Sequence, residues 1–314
     1  MVEKIVCVAG PTACGKTGLG VLLAKRYHGE VVSVDSMQIY RGMTIGTAAP
    51  TPEEMEGVPH HMIAVADPRE QWSAARYVQA ATPVVEDILA RGKLPILVGG
   101  TGLWMDAMVK GHGFAGGHAG GEVRRALQGQ LDREGIAPLL EQLRKVDPAA
   151  AQRLHPADEK RILRALEVYL ETGKTITAHN EETKRLPPRY DAVWIALRFA
   201  DREDMKRRID LRVDKMVEAG LLDEVRALLA EGLPREATAL QAIGYKEFLG
   251  VLEGTSTVEE AIAEVKLRSR QYAKRQLTWL RKNSAIQWIC WEKEQDLAFA
   301  LQRSTEILAA AGVS

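Results

Sequence analysis

Gly10-Pro11-Thr12-Ala13-Cys14-Gly15-Lys16-Thr17 follows directly on the apolar run Lys4 to Ala9 and precedes a helical pattern of Leu19, Leu22, Leu23 and Tyr27. The octapeptide fits GxxxxGK(S/T) in the strand, loop and helix setting that this phosphate-binding motif requires. Its backbone N–H groups and the helix start behind them form a concave positive site. Lys16 adds a full charge, and the Thr17 hydroxyl is a candidate ligand for Mg²⁺. The loop therefore predicts a grip on two adjacent phosphates, with Gly10, Pro11, Thr12, Ala13, Cys14, Gly15, Lys16 and Thr17 as its members.

Two further apolar runs work outward from that loop. Val31 to Val34 ends at Asp35, and Leu94 to Val98 ends at Gly99-Gly100-Thr101-Gly102. Short buried runs alternating with helical stretches indicate α/β architecture with a parallel sheet covered on both faces. Ligands of such sheets gather at the carboxyl ends of the strands, so the loop, Asp35 and Thr101 are expected around one crevice. After Trp104 the texture changes. Gly111 to Gly121 is rich in glycine and histidine, Glu122 to Thr183 reads as helix with almost no β-branched runs, and Pro187-Pro188 precedes a returning strand at Ala192 to Leu197. The expected domains are a P-loop core of residues 1–113 and 191–314 and an inserted helical domain of 114–190. Beyond Asp201 the pattern is helical, and a last strand is expected at Ile286 to Cys290.

With 314 residues and a charged fraction of 27 %, the chain is placed among ordinary globular proteins and away from disorder. No membrane span or leader is legible, so a cytoplasmic protein is expected. The three cysteines, Cys7, Cys14 and Cys290, lack CxxC spacing and read as reduced thiols. Lys and Arg number 42 against 42 Asp and Glu, so overall charge does not announce a nucleic-acid partner. Its distribution does. Lys266, Arg268, Arg270, Lys274, Arg275, Arg281 and Lys282 occupy one stretch without an Asp or Glu, either a solvated helix face paired with acids elsewhere or a basic patch.

A nucleotide kinase or ATPase would place an Asp at the end of a second strand to hold the metal, and the candidate strand ends instead in Gly99-Gly100-Thr101. Asp35 is the strand-end acid at the crevice. It serves metal binding, acid–base chemistry, or the capping of the next turn together with Ser36. His60 and His61 lack further ligands at metal spacing and read as structural.

Several segments together resemble the tRNA dimethylallyltransferases. They are GPTACGKT from Gly10 to Thr17, DSMQIY from Asp35 to Tyr40 with Arg41-Gly42-Met43 and Ile45-Gly46-Thr47, Pro59-His60-His61 and Gly99-Gly100-Thr101. Further on come His155-Pro156, KRILRAL from Lys160 to Leu166, Gly173-Lys174, Gly244-Tyr245, Lys274-Arg275-Gln276 and Thr278-Trp279-Leu280-Arg281. The matches run through nearly the whole chain. The resemblance implies a nucleotide-kinase-like P-loop core with an inserted helical domain that clamps an anticodon stem-loop. It implies transfer of a dimethylallyl group from dimethylallyl diphosphate to N6 of adenosine 37 of tRNA, with Mg²⁺, by a monomer.

Residue by residue, the resemblance assigns catalysis to Asp35, Thr101 and Lys16, and adds Arg208 and Arg212 to the diphosphate site. It assigns tRNA contact to Asp35, Ser36, Met37, Gln38, Thr101, Arg124, the stretch Lys160, Arg161, Ile162, Leu163 and Arg164, and the stretch Gln241, Ala242, Ile243, Gly244, Tyr245 and Lys246. These residue types suit the chemistry. Adenine N6 is a poor nucleophile that must lose a proton as its new bond forms, and a leaving diphosphate needs cations. An acceptor base held in a stem-loop must first be unstacked. The chain departs from the family's pattern at Trp104, where Tyr is expected, and in the glycine-rich segment. It also lacks the Cys and His pairs of a zinc-finger extension. A small-molecule kinase and a P-loop RNA-binding regulator are the rival readings.

Overall fold

A computed structural model of the chain describes residues 3–111, 114 and 121–313. The chain divides into two compact units, Met1–Val109 with Arg189–Ser314, and Lys110–Pro188. The glycine-rich segment lies mostly outside the described residues.

The first unit is a sheet wrapped by helices. It begins with β1 (Lys4–Ala9), α1 (Lys16–Arg26), β2 (Gly29–Val34), a single turn α2 (Pro52–Met55), β3 (His60–His61), α3 (Ala74–Ala90), β4 (Leu94–Gly99) and α4 (Gly102–Lys110). The helical unit contributes α5 (Glu122–Glu134), α6 (Ile136–Val146), α7 (Pro148–Arg153), α8 (Glu159–Thr172) and α9 (Ile176–Arg185). The first unit then resumes with β5 (Asp191–Phe199), α10 (Arg202–Glu218), α11 (Leu221–Ala230), α12 (Tyr245–Leu252), α13 (Val258–Leu280), β6 (Gln287–Trp291) and α14 (Leu297–Ala310). The helical unit starts and ends a few residues before the bounds that composition suggests. The reason is a neck at which Arg189 and Tyr190 both donate their N–H groups to the Val109 carbonyl (3.0 and 3.2 Å).

The six strands run in the order β3-β2-β4-β1-β5-β6, every neighbouring pair parallel. Alternate residues of β1 enter different cores. Ile5, Cys7 and Ala9 pack on the face covered by α3 and α12, whereas Val6 and Val8 pack with Leu19 and Leu23 of α1 and Leu308 of α14. Both faces are thus buried, which explains why β1 reads as a continuous apolar run instead of an alternating one. The dipeptide strand β3 is not visible in the sequence pattern. It pairs Val31 with His60 and Val32 with His61, and His61 Nε2 lies 2.7 Å from a buried Glu30 carboxylate that also binds Arg91 and Lys93. The two histidines are structural.

The helical unit has its own core around Leu127, Leu139, Leu143, Ile162 and Leu166. Its α9 is anchored by Asp147, whose carboxylate accepts from the Thr177 hydroxyl and N–H (2.8 and 3.1 Å).

Candidate active site

The phosphate loop is shaped by contacts that its own sequence does not reveal. Gly10 has φ of 151°, and a Cβ there would lie 2.7 Å from the Leu197 carbonyl oxygen and 2.6 Å from the Cys14 sulfur, so only glycine lets β1 pass β5 and turn. The Cys14 thiol donates to the Pro11 carbonyl at 2.9 Å, and burial pushes its pKa up, keeping it a packed thiol. Two residues beyond α13 hold the loop from outside: Trp291 Nε1 donates to the Cys14 carbonyl (3.0 Å) and Gln295 Nε2 to that of Ala13 (2.8 Å).

Gln276 is the central brace. This buried side chain of α13 accepts from the Thr12 N–H at 2.9 Å and donates to the Gly100 carbonyl at 3.0 Å. One amide therefore ties the phosphate loop to the turn after β4.

The loop opens into a cavity of about 320 Å³. Lys16, Thr17, Asp35 and Arg212 give it polar groups, while Val98, Ile209, Val213, Met216, Ile243 and Val265 give it an apolar wall. The Lys16 ammonium donates to the Pro11 carbonyl (2.7 Å), which holds it across the loop. Burial lowers the pKa of Lys16, and the neighbouring Arg212 lowers it further while Asp35 opposes the shift. Burial lowers that of Arg212 too, again against Asp35. Arg212 gives one N–H to the Thr47 carbonyl (3.3 Å), and its Nε is buried without a partner among the described residues. Two cations crowded around one carboxylate, beside a cradle of amides, make a site that an anion would relieve.

Arg208 and Arg212 are not consumed by the acids of their own helix. Asp204 pairs with Arg207, Asp210 with Arg270 and Asp214 with Lys266. Arg212 is thereby left facing the cavity. Arg208 is exposed and reaches Gln295 Oε1 at 3.4 Å, so it approaches the loop from the side and does not line the cavity.

At the other end, Asp35 Oδ1 accepts the N–H groups of Met37 (2.9 Å) and Gln38 (3.3 Å). The carboxylate is thus fixed by one oxygen as the cap of its turn, and the second oxygen is available to chemistry. Thr101 lies beside this turn and accepts from the Ser36 N–H at 3.2 Å. The hydroxyl of Tyr272, a cavity residue, is adjacent to Thr101 and Gln276, and burial with Asp35 nearby pushes its pKa up to about 12.

The other expected contacts separate into surfaces and supports. Ser36, Met37, Gln38, Gln241, Ala242 and Ile243 line the cavity. Gln38 spends its amide locally, accepting from the Ser33 hydroxyl (2.9 Å) and donating to Thr47 and Ala48 carbonyls (3.3 and 3.2 Å), so it shapes the wall. Tyr245 is fully buried, with Gly46 packed on its ring and its hydroxyl bonded to Glu224; Gly244 precedes it with φ of 99°, and Lys246 is exposed. In the helical unit Ile162 and Leu163 are core residues, so their side chains are supports. Lys160 and Arg161 are exposed, while Arg124 and Arg164 flank the buried Glu167, with Arg164 at 2.8 Å.

Trp104 stacks on Tyr77, with ring centroids 4.6 Å apart, and is core. The sequence carries no sign of Glu224, whose carboxylate accepts the N–H groups of Thr44, Ile45 and Gly46 (2.8 to 3.0 Å) and so holds the cavity rim.

A parallel sheet in this strand order, with the phosphate loop after its β1 strand, defines a P-loop protein of the nucleotide-kinase-like class. The sequence profile of the IPP transferase family matches residues 38–283. The chain belongs to that family. It is 46 % identical over 288 residues to the tRNA dimethylallyltransferase of Halalkalibacterium halodurans, covering 92 % of this chain and 91 % of the relative. It is 44 % identical to that of Carboxydothermus hydrogenoformans, covering 100 % and 99 %. Among solved structures, the tRNA isopentenylpyrophosphate transferase of Bacillus halodurans superposes with a TM-score of 0.74 at 42 % identity, over 98 % of this chain and 96 % of that one. A eukaryotic dimethylallyltransferase acting on tRNA gives 0.83 at 29 % identity, over 98 % and 80 %.

Proposed function

We propose that the chain is a tRNA-modifying prenyltransferase that moves the dimethylallyl group of dimethylallyl diphosphate to N6 of adenosine 37 and acts as a monomer. The observation that carries the reading is the single cavity that joins an amide and cation cradle, an apolar wall and a fixed carboxylate. An isolated phosphate site would need neither of the last two.

The diphosphate lies on the loop amides between Lys16 and Arg212, and the five-carbon group lies against Ile209, Val213, Met216 and Val265. At the opposite end the adenine presents N6 to the free oxygen of Asp35. As the allylic C–O bond breaks and the C–N bond forms, the N6 proton passes to Asp35 and the electron pair leaves with the diphosphate. Lys16, Arg212 and the loop amides meet the charge that develops there. The Thr17 hydroxyl, which lines the cavity, is the protein oxygen that would hold Mg²⁺, with phosphate oxygens and water completing the set, as a P-loop metal takes one or two protein oxygens. When bound it would add charge neutralisation at the leaving group. Gln276 keeps the two ends in register.

The test is release of inorganic diphosphate from dimethylallyl diphosphate with and without an unmodified anticodon stem-loop RNA. RNA-dependent release supports the reading. Phosphate release from ATP, with dimethylallyl diphosphate left intact, would mean a kinase or ATPase.

A further inference from the structure

No described residue of α11 lines the cavity, yet Glu224 of that helix is bonded to the turn that does. Its Oε2 accepts from the N–H and the hydroxyl of Thr44 (2.8 and 2.9 Å) and from the N–H of Ile45 (2.8 Å). Its Oε1 accepts from the N–H of Gly46 (3.0 Å) and from the Tyr245 hydroxyl. Every partner is a donor, which suits a carboxylate and no amide. The turn is also seated by shape. A Cβ on Gly46 would lie 2.5 Å from the Tyr245 ring and 2.8 Å from Leu221, so the backbone rests directly on α11 and α12.

The turn carries that seat to the cavity. The Ala48 N–H donates back to the Ile45 carbonyl (2.9 Å), and N–H and C=O point opposite ways across a trans peptide plane, so the Thr47 carbonyl is directed out of the turn. There it accepts from Arg212 (3.3 Å) and from the Gln38 amide (3.3 Å). Gln38 has two further partners, the Ser33 hydroxyl and the Ala48 carbonyl. Arg212 bonds the Thr47 carbonyl alone among the described residues, and its Nε is buried without a partner there. The direction of the guanidinium is therefore set by one carbonyl, and that carbonyl by Glu224.

We propose that Glu224 is a positioning residue for the reaction: through the turn of Thr44 to Thr47 it aims Arg212 at the diphosphate. The inference rests on the diphosphate lying between Lys16 and Arg212. A guanidinium meets phosphate oxygens through a planar fork of donors, so its angle matters more than that of an ammonium. The two cations are accordingly held from different sides. Lys16 is fixed within the phosphate loop by the Pro11 carbonyl, and Arg212 from outside it by α11. The tether also prevents a collapse. Arg212 and Asp35 attract each other across the cavity, and a bond between them would occupy both the cation and the base.

The experiment measures binding of inorganic diphosphate by calorimetry for the wild-type chain, Glu224→Gln, Arg212→Ala and the double variant. Glutamine at this position keeps the size of the side chain but sets an amide N–H against a donor of the turn. Affinity should fall roughly tenfold to a hundredfold in each single variant, the range of a lost or misaimed charge-assisted hydrogen bond. The double variant should bind no more than about threefold worse than Arg212→Ala, because residues that act through one contact are not additive. A residue that only stabilised the fold would add its full factor in both backgrounds. Stoichiometry reports the folded fraction and the dissociation constant reports the site, so partial unfolding does not imitate the result. Glu224→Asp keeps the charge and shortens the reach by one methylene; it should lose less affinity than Glu224→Gln with the same coupling to Arg212, and it carries the test if Glu224→Gln does not fold. Wild-type affinity in the Glu224 variants, or additive losses in the double variant, would overturn the proposal. A wild-type chain that bound no diphosphate would overturn both the proposal and the placement on which it rests. Phosphate transfer from ATP in place of prenyl transfer, with the coupling intact, would sink the proposed reaction and leave Glu224 in its role.

Discussion

Gln276 offers the sharpest test of how the site is assembled, because one buried amide spans both of its halves. Substituting Gln276→Ala removes the acceptor of the Thr12 N–H and the donor to the Gly100 carbonyl. Each backbone group left without a partner in a buried setting costs about 1–3 kcal/mol. Water can reach one side of the loop through the cavity, so the lower half of the combined range applies, about 2–4 kcal/mol. Thermal unfolding should reveal this as a fall of several degrees in Tm. The loss should also appear in function. The Thr12 amide belongs to the phosphate cradle, and once unbraced it no longer points reliably at the ligand, so diphosphate affinity measured by calorimetry should weaken. Gln276→Glu separates the two roles. It keeps an acceptor for Thr12 but removes the donor to Gly100 and sets a negative charge beside the cradle, so diphosphate affinity should fall more than stability. If Gln276→Ala left both Tm and diphosphate affinity at wild-type values, Gln276 would not brace the site.

Three further outcomes follow from the geometry. Asp35→Asn keeps the turn cap but cannot accept a proton, so single-turnover transfer should fall by about 10² to 10⁴ with RNA affinity changed far less; rescue to near wild-type rate by high Mg²⁺ would instead make Asp35 a metal ligand. Gly99→Ala places a Cβ 2.1 Å from the Val34 carbonyl oxygen, a backbone atom that cannot step aside, and should lower stability in urea unfolding by about 1–3 kcal/mol. The Glu30 carboxyl is held well below the usual carboxylate range, chiefly by its hydrogen bonds to Arg91, so it stabilises the fold above the unfolded-state value near 4 and loses that contribution as the pH falls through the lower folded value. Glu30→Gln should therefore narrow the gap between stability at neutral pH and stability in acid, as read by urea unfolding at a series of pH values.

What the sequence revealed and what it concealed divide along a physical line. The phosphate loop, the strands β1, β2, β4 and β5, and the strand-end position of Asp35 are legible because each is a local pattern: an apolar run, a glycine-lysine motif, an acid at the boundary. The inserted helical unit shows in the same way through its helical texture between two proline- and glycine-rich stretches. The braces are not local. Gln276 is one polar residue within a basic helix, and only the fold brings it to Thr12, far away in the chain. Glu224 resembles any other acid on an amphipathic helix until its carboxylate is seen beneath the Thr44 to Gly46 turn. The basic helix was half legible. Lys266, Arg268 and Arg270 find acids, as a solvated face would, whereas Lys274 and Arg281 line a groove that requires α10 and β5 to complete it. Likewise Ile162, Leu163 and Tyr245 sit in motif-like stretches beside charged residues, but burial makes them supports.

Nucleoside mass spectrometry of an unmodified tRNA incubated with the protein, dimethylallyl diphosphate and Mg²⁺ reads the proposed transfer itself. The expected result is an adenosine beside the anticodon that has gained one dimethylallyl group on N6, formed by the wild-type chain and lost or greatly slowed in Asp35→Asn. A tRNA whose nucleosides all keep their original mass, in the presence of protein shown to be folded and to bind both substrates, would contradict it.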